Sequence, residues 1–228
     1  MVLFDEVADR YDAFCETPLG RFVDQVERTL IDTLLEAAAG EQIVDLGCGT
    51  GAYAASLAAQ GCRVTGVDIS PRMLALAAAK VRPCQEVRLL CADLAHLPLP
   101  ANHFDAGLMQ VTLEFVEDPR AVLREAMRVL KPSGRLVLGL IHGTGLWAEH
   151  YRQRAAKDPL SVYRSAHFWT VAEVEQLLGV SEDMVAGGLF VGPGDFQVID
   201  EALTQDAALR AIRPLAEAGF VAARFRVE

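Results

Sequence analysis

Short apolar runs alternate with longer amphipathic stretches along most of the chain. Ile43–Leu46, Arg63–Asp68, Val87–Ala92, Phe104–Val111 and Arg135–Ile141 have the length and the apolar content of buried strands. The intervening stretches have helical spacing. One predicted helix spans about residues 19–38, with Gly40 near its end, and another runs from the glycines after Leu46 to Gly61. Ser70-Pro71 supplies an N-cap and a proline at the first helical position for a helix reaching about Lys80. Asp118-Pro119 does the same for the next helix, which stops before the Lys131-Pro132-Ser133-Gly134 turn. Strands alternating with helices predict an α/β fold with a mostly parallel, doubly wound sheet. The tail Gly219–Val227 alternates only partly and is predicted as a final antiparallel edge strand. No internal repeat or low-complexity linker interrupts this order.

After Ile141 the chain changes character. His142, Trp147, His150, Tyr151, Tyr163, His167, Phe168 and Trp169 crowd into one segment. Thr170-Val171-Ala172-Glu173 fits a capping box, and Leu178-Gly179 fits a helix end. The aromatic cluster has two readings, ordinary packing of a cap and a lid over a substrate.

The length of 228 residues suits one domain with an added cap: N-terminal helices over 1–39, a binding core over 40–141, a lid over 142–180 and the rest of the sheet over 181–228. The net charge of −10 argues against nucleic acid, since neutralising phosphates needs clusters of Lys and Arg. The N-terminus lacks the basic and apolar regions of a secretory signal. No apolar stretch approaches the ~18 residues of a membrane span. Cys15, Cys48, Cys62, Cys84 and Cys91 form no Cys-x-x-Cys pair, and such an odd, scattered set predicts buried thiols in a reducing cytoplasm. A redox or metalloid role for Cys62, Cys84 and Cys91 is the less favoured reading, and no metal site is expected.

The sharpest chemical signal is Asp45-Leu46-Gly47-Cys48-Gly49-Thr50-Gly51, at the end of the first predicted strand. Glycine admits positive φ and lets a ligand approach the backbone. An open α/β sheet binds its ligand just past the carboxyl ends of its strands. The dinucleotide fingerprint is G-x-G-x-x-G, whereas here the third glycine comes one residue earlier. A carboxylate two residues before the first glycine repels a pyrophosphate and attracts an ammonium group. S-adenosylmethionine carries an ammonium and a sulfonium and no phosphate. Asp68 follows Gly47 by about 20 residues, the distance of an acid that grips ribose hydroxyls. Asp93 ends the third run, so three successive strands deliver an acid to the same edge.

These motifs, with Val67-Asp68-Ile69-Ser70, Met73-Leu74, Cys91-Ala92-Asp93-Leu94, Leu97-Pro98, Phe104-Asp105, Leu123-Arg124-Glu125 and Arg128–Gly134, resemble the class I S-adenosylmethionine-dependent methyltransferases. The resemblance is to the bacterial branch acting on small molecules. It covers roughly residues 40–141, extends to Tyr11-Asp12 and Thr17–Arg21, and fades after His142. It implies a seven-stranded Rossmann-like sheet, helices on both faces and an antiparallel edge strand. It also implies S-adenosyl-L-methionine as methyl donor and S-adenosyl-L-homocysteine as product. Asp45, Gly47, Cys48, Gly49 and Gly51 would hold the methionine end. Asp68 would take the ribose hydroxyls, Ile69 would pack on adenine, and Asp93 and the Leu94 backbone would meet the base. Met73 and Gln110 would complete the pocket, and Tyr11 would close over it.

The stretch Gln110–Phe115 lacks the histidines that relatives place there, so acceptor chemistry does not carry over. Glu114 and His142, past strands four and five, are candidate general bases. Each also reads as an ordinary residue, a solvated carboxylate or a structural imidazole, so no catalytic residue is assigned. The nature of the acceptor atom and the oligomeric state stay open. An NAD(P)-dependent oxidoreductase and a non-catalytic S-adenosylmethionine-binding protein are the alternatives.

Overall fold

The computed structural model describes residues 3–6, 8–82 and 86–227, with backbone alone at residues 6 and 9–11. Seven strands form one sheet: β1 (Gln42–Leu46), β2 (Arg63–Asp68), β3 (Val87–Cys91), β4 (Phe104–Gln110), β5 (Leu130–Ile141), β6 (Met184–Gly188) and β7 (Phe220–Arg226). Their order is β3-β2-β1-β4-β5-β7-β6. The first five run parallel, and β7 pairs antiparallel with both β5 and β6. The fold is therefore the doubly wound α/β sheet with an antiparallel edge pairing that the pattern predicts.

The tail strand needs a correction. β7 lies inside the sheet, and β6 takes the edge. All but the last of its residues are buried, so both of its faces are covered and a polar/apolar alternation has no cause to appear.

Helices α1 (Ala8–Glu16), α2 (Pro18–Leu35), α3 (Ala52–Ala59), α4 (Pro71–Val81), α5 (Pro119–Val129), α6 (Leu146–Lys157), α7 (Val171–Leu178) and α8 (Ile199–Arg210) surround the sheet. Side chains of α2, α3 and α6 pack on one face with Ile43, Leu108 and Phe220. Those of α5 and α7 cover the other face with Val44, Leu138 and Phe225.

Local chemistry sets the helix boundaries. Thr17, Ser70, Asp118 and Thr170 each accept a first-turn amide, and proline follows the first three. The Thr170–Glu173 capping box is present, and Gly179 closes α7 with φ 74°. α2 ends at Leu35, earlier than the predicted residue 38, because Arg135 and Arg224 donate to its last carbonyls. Arg135 reaches those of Leu35 and Glu36, and Arg224 that of Leu34. β5 begins at Leu130, five residues before the predicted Arg135. The predicted turn at residues 131–134 is an irregularity within that strand, where the register against β4 shifts and Ser133 takes φ 63°.

Candidate functional site

The strand order reverses between β1 and β4, and the chain leaves the carboxyl ends of both into loops that touch. Gly47, Gly49 and Gly51 all have positive φ, at 77°, 51° and 76°. A Cβ on Gly47 would sit 2.4 Å from the Thr112 side chain of the β4 loop. Glycine is thus required twice over at Gly47, by its backbone and by its neighbour. The loop is tied to β2 by amides of Gly47 and Cys48 donating to the Val67 carbonyl at 2.8 and 3.0 Å. A third amide, of Gly49, donates to Asp68 Oδ2 at 2.9 Å.

Asp45 is buried, and its Oδ2 has no partner. Burial, reinforced by nearby Asp68, pushes its pKa up to about 7. Asp68 is half-buried at the tip of β2, and its Oδ1 accepts from the Ser70 amide at 2.8 Å. Burial raises its pKa, and the amides of Ser70, Gly49 and Ile69 oppose that shift. Three amides thus approach the carboxylate's roughly four lone-pair positions, which leaves capacity for a further donor. Ile69 beside it is 51% exposed, an apolar side chain left in the open at the crevice rim. Asp93 is exposed just past β3, where its Oδ1 accepts from the Ala95 amide at 2.9 Å. Leu94 is buried next to it. Cys48 and Met73 are buried, Cys48 close against Gly66, and burial drives the Cys48 thiol pKa upward. So Asp45, the glycines, Asp68, Ile69, Asp93 and Leu94 do line one end of the sheet. Tyr11 lies on α1, and its side chain falls outside the described residues.

The N-terminal segment is fastened to this end. Asp12 accepts from Thr50 Oγ1 at 2.7 Å and from Lys80 Nζ at 3.0 Å. Asp5 accepts from Ser70 Oγ at 2.6 Å.

The loop after β4 holds the second half of the site. Val111 has φ 46°, a strained conformation for a β-branched residue, and its amide donates to the Gly139 carbonyl at 2.7 Å. That twist sets Thr112 against Gly47 and carries Glu114 toward the end of β5. Glu114 is only 1% exposed. The solvated reading of this residue is therefore overturned. Its Oε1 accepts from the Ile141 amide at 2.8 Å, and its Oε2 has no partner. Burial lifts its pKa to about 8.

Glu27 of α2, which the sequence reading did not single out, also belongs here. Gln110 at the end of β4 donates to it through Nε2 at 2.6 Å. Burial, with Asp24 next, pushes the Glu27 pKa up to about 8. A signal was available, since Glu27 lies four residues from both Val23 and Ile31, on the buried stripe of α2.

The aromatic segment is partly core. Trp147, Tyr151 and Phe168 are buried, and Trp147 Nε1 donates to the Val191 carbonyl at 3.0 Å. The Tyr151 and Tyr163 rings stack at 4.2 Å. The segment is clipped to the β4 loop by the His167 amide on the Glu114 carbonyl at 2.8 Å and by Trp169 Nε1 on that of Leu113 at 3.1 Å. His142 is buried, and desolvation lowers its pKa while a bond to the Ala218 backbone opposes this. Of the three cysteines weighed together, Cys62 is buried as expected, Cys91 is exposed on β3 against that expectation, and Cys84 lies outside the described residues. A depression lined by Gln42, Arg63, Glu86 and Arg88 lies at the opposite, amino ends of the strands.

Comparison with known proteins agrees with this arrangement. Residues 44–138 match the methyltransferase domain family. A demethylmenaquinone methyltransferase of Tropheryma whipplei (strain Twist) is 41% identical over 138 residues, covering 60% of this chain and 56% of that protein. The chain thus spans little more than half the length of that relative. A crystal structure from Thermotoga maritima, described as a SAM-dependent methyltransferase and possible histamine N-methyltransferase, superimposes with a TM-score of 0.78. It has 26% identity, and the match covers 99% of this chain and 98% of that one. The N-methyltransferase NodS of Bradyrhizobium japonicum, solved with S-adenosyl-L-homocysteine, shares the fold at a TM-score of 0.66 with 19% identity over 99% of both chains. Glycine loop, acids at the strand ends, sheet order and matched domain agree: residues 44–138 carry a methyltransferase domain, and the chain as a whole is similar to S-adenosylmethionine-dependent methyltransferases of class I.

Proposed function

We propose that this chain transfers the methyl group of S-adenosylmethionine to a small-molecule acceptor. The observation that carries the reading is the unpartnered Oδ2 of Asp45, buried beside three left-handed glycines at the strand-order reversal. A buried carboxylate oxygen without a donor calls for a cation, and the ammonium of the methionine moiety fits that need. The donor set matches the remainder of the molecule. Asp68 keeps lone pairs for ribose hydroxyls, Ile69 offers a face to adenine, and Asp93 with the Leu94 backbone borders the base. Met73 and Cys48 back this pocket from beneath, and Gln110 borders it from β4.

When bound, the sulfonium supplies an electrophilic methyl group. This chain's residues align the acceptor with it and exclude water. The N-terminal helices (1–39), fastened through Asp5 and Asp12, and the segment 142–180 form a cover over the core of residues 40–141, with residues 181–228 completing one domain. The names of the relatives, a quinone methyltransferase and a possible histamine methyltransferase, both favour a small acceptor. The charge of −10 weighs against nucleic acid. No helix among the described residues is long and apolar enough to cross a membrane, in keeping with a cytoplasmic role.

Calorimetry with S-adenosylmethionine and with NAD tests the reading. Tight binding of the first alone is expected, and tight binding of NAD alone would reverse it. Absence of methyl transfer to any member of a metabolite library, with S-adenosylmethionine bound, would leave a binding protein.

A further inference from the structure

Two carboxyl groups, Glu27 against the end of β4 and Glu114 in the loop that follows it, are incompletely satisfied among the described residues. Glu114 Oε2 is buried without a partner among them. Glu27 accepts from the Gln110 amide. The charged groups that face Glu27 are Asp24 and Arg28 on its own helix and Glu114 across from it. Arg28 is already engaged, with Asp24 at 2.7 Å and with its guanidinium over the Tyr53 ring at 4.5 Å. Glu114 is approached only by backbone amides, its own and that of Ile141. Like charges without a cation between them are costly in a buried site. Burial pushes the pKa of both up to about 8, with Asp24 adding to the shift at Glu27.

Aromatic rings complete the wall. Tyr163 is stacked on Tyr151 at 4.2 Å and lies 5.9 Å from Phe115 and 6.2 Å from Phe168. Phe115 follows Glu114 directly, so its contact with Tyr163 brings the Glu114 loop to this stack, and the charges of Glu27 and Glu114 both act on Tyr163. Carboxylates with aromatic faces select a cation, the first by charge and the second by the ring quadrupole. A phenolate or carboxylate would meet repulsion here.

We propose that the methyl acceptor is a small primary or secondary amine, recognised in its ammonium form between Glu27, Glu114 and the Tyr151–Tyr163 stack. This rests on the methyl-transfer reading. Binding of the ammonium first expels to solvent the proton that burial keeps on Glu114. The nitrogen, which has no lone pair, then passes one of its own protons to the ionised Oε2. The freed lone pair then forms a bond to the methyl carbon as the carbon–sulfur bond breaks, and the electron pair of that bond stays on sulfur. The nitrogen takes over the positive charge that sulfur loses, and the proton on Glu114 leaves to solvent. A carboxyl poised near pH 8 is a better match to an amine than an ordinary carboxylate.

The test uses the whole chain saturated with S-adenosylhomocysteine. The probes are amines from ethylamine to 2-phenylethylamine, each paired with its alcohol and its carboxylate counterpart. Calorimetry should show at least one amine binding about tenfold or more tighter than both counterparts. Glu114→Gln and Glu27→Gln, assayed separately, should each remove most of that preference and leave S-adenosylhomocysteine affinity unchanged. With labelled methyl donor, Glu114→Gln should lower kcat more than it raises KM, and the loss should narrow at high pH, where free amine is available. If no amine outbinds its alcohol, or if both Gln variants keep the preference, the amine assignment falls and the methyl-transfer reading stands. If S-adenosylhomocysteine itself fails to bind, the earlier reading falls and the amine assignment falls with it.

Discussion

Asp68 accepts a hydrogen bond from the Gly49 amide at 2.9 Å, so the acid at the tip of β2 holds the glycine loop of β1 in place. On the proposed reading the same carboxylate also takes the ribose hydroxyls, so loop shape and donor binding would share one side chain. Replacing Asp68 by alanine would then remove charged hydrogen bonds worth about 1.5–3 kcal/mol each and also free the loop. Calorimetry should show S-adenosylmethionine affinity falling by roughly tenfold or more. Glu117→Ala, at an exposed acid outside these motifs, should bind normally. Equal losses in both would point to general destabilisation.

Gly47→Ala should act through packing. The new Cβ meets Thr112 at 2.4 Å and must accept φ 77°. Left-handed backbone and overpacking together should cost about 2–4 kcal/mol in urea unfolding. Thr112→Ala in the same chain should recover only the part due to the contact. Unchanged stability in the single variant would mean that the loop moves aside freely.

The raised carboxyls predict an unusual pH profile. Glu27 and Glu114 shift from 4.5 to about 8, and Asp45 from 3.8 to about 7. The folded chain then binds more protons than the unfolded chain between those limits, so stability falls as pH rises through them. Depressed acids such as Glu41 and Asp105 behave oppositely and withdraw stability only as pH drops below their unfolded values. Ligand-free protein should melt progressively lower from pH 5 to 8.5. Glu114→Gln should flatten that decline, and a profile identical to the unsubstituted chain would show that Glu114 titrates normally.

Arg224 joins three parts of the chain. It is 5% exposed, pairs with Asp183 at 2.9 Å and Glu36 at 2.6 Å, and donates to the Leu34 carbonyl at 3.2 Å. Arg224→Ala leaves the Leu34 carbonyl without this donor and Asp183 with Arg226 alone, and should cost about 1–3 kcal/mol. Arg213→Ala breaks only the exposed pair with Glu217 and should cost under about 1 kcal/mol. Denaturant titration of both separates a buried junction from a surface pair.

The proposed cover predicts local protection. Amide exchange over residues 3–16 and 142–169 should slow on addition of S-adenosylhomocysteine, more than exchange in α5 does. Unchanged exchange over 142–169 would make that segment packing alone.

Much of this molecule could be read in advance, where the determinants are local. Caps at Ser70, Asp118 and Thr170 depend on a side chain and an amide three residues away. The strand ends bearing Asp45 and Asp68 follow from runs of a few residues. What escaped depends on distant partners. The end of α2 is set by Arg135 and Arg224, about a hundred or more positions later. Glu114 reads equally as a candidate base and as a solvated acid until the Ile141 amide and the His167 amide enclose it. Glu27 breaks the apolar stripe of α2, and that interruption was its one clue in the sequence.

The placement of β7 has a mechanical consequence. β6 has a single neighbour, and that neighbour is the strand farthest along the chain. A load applied at the C-terminal end would have to shear β7 from β5 and β6 together, whereas an outermost strand could be peeled from one neighbour. Once β7 has gone, β6 has lost its strand partner and keeps only its packing on α2 and α8. The sheet should thus resist traction up to a high force and then give way over both strands in one event.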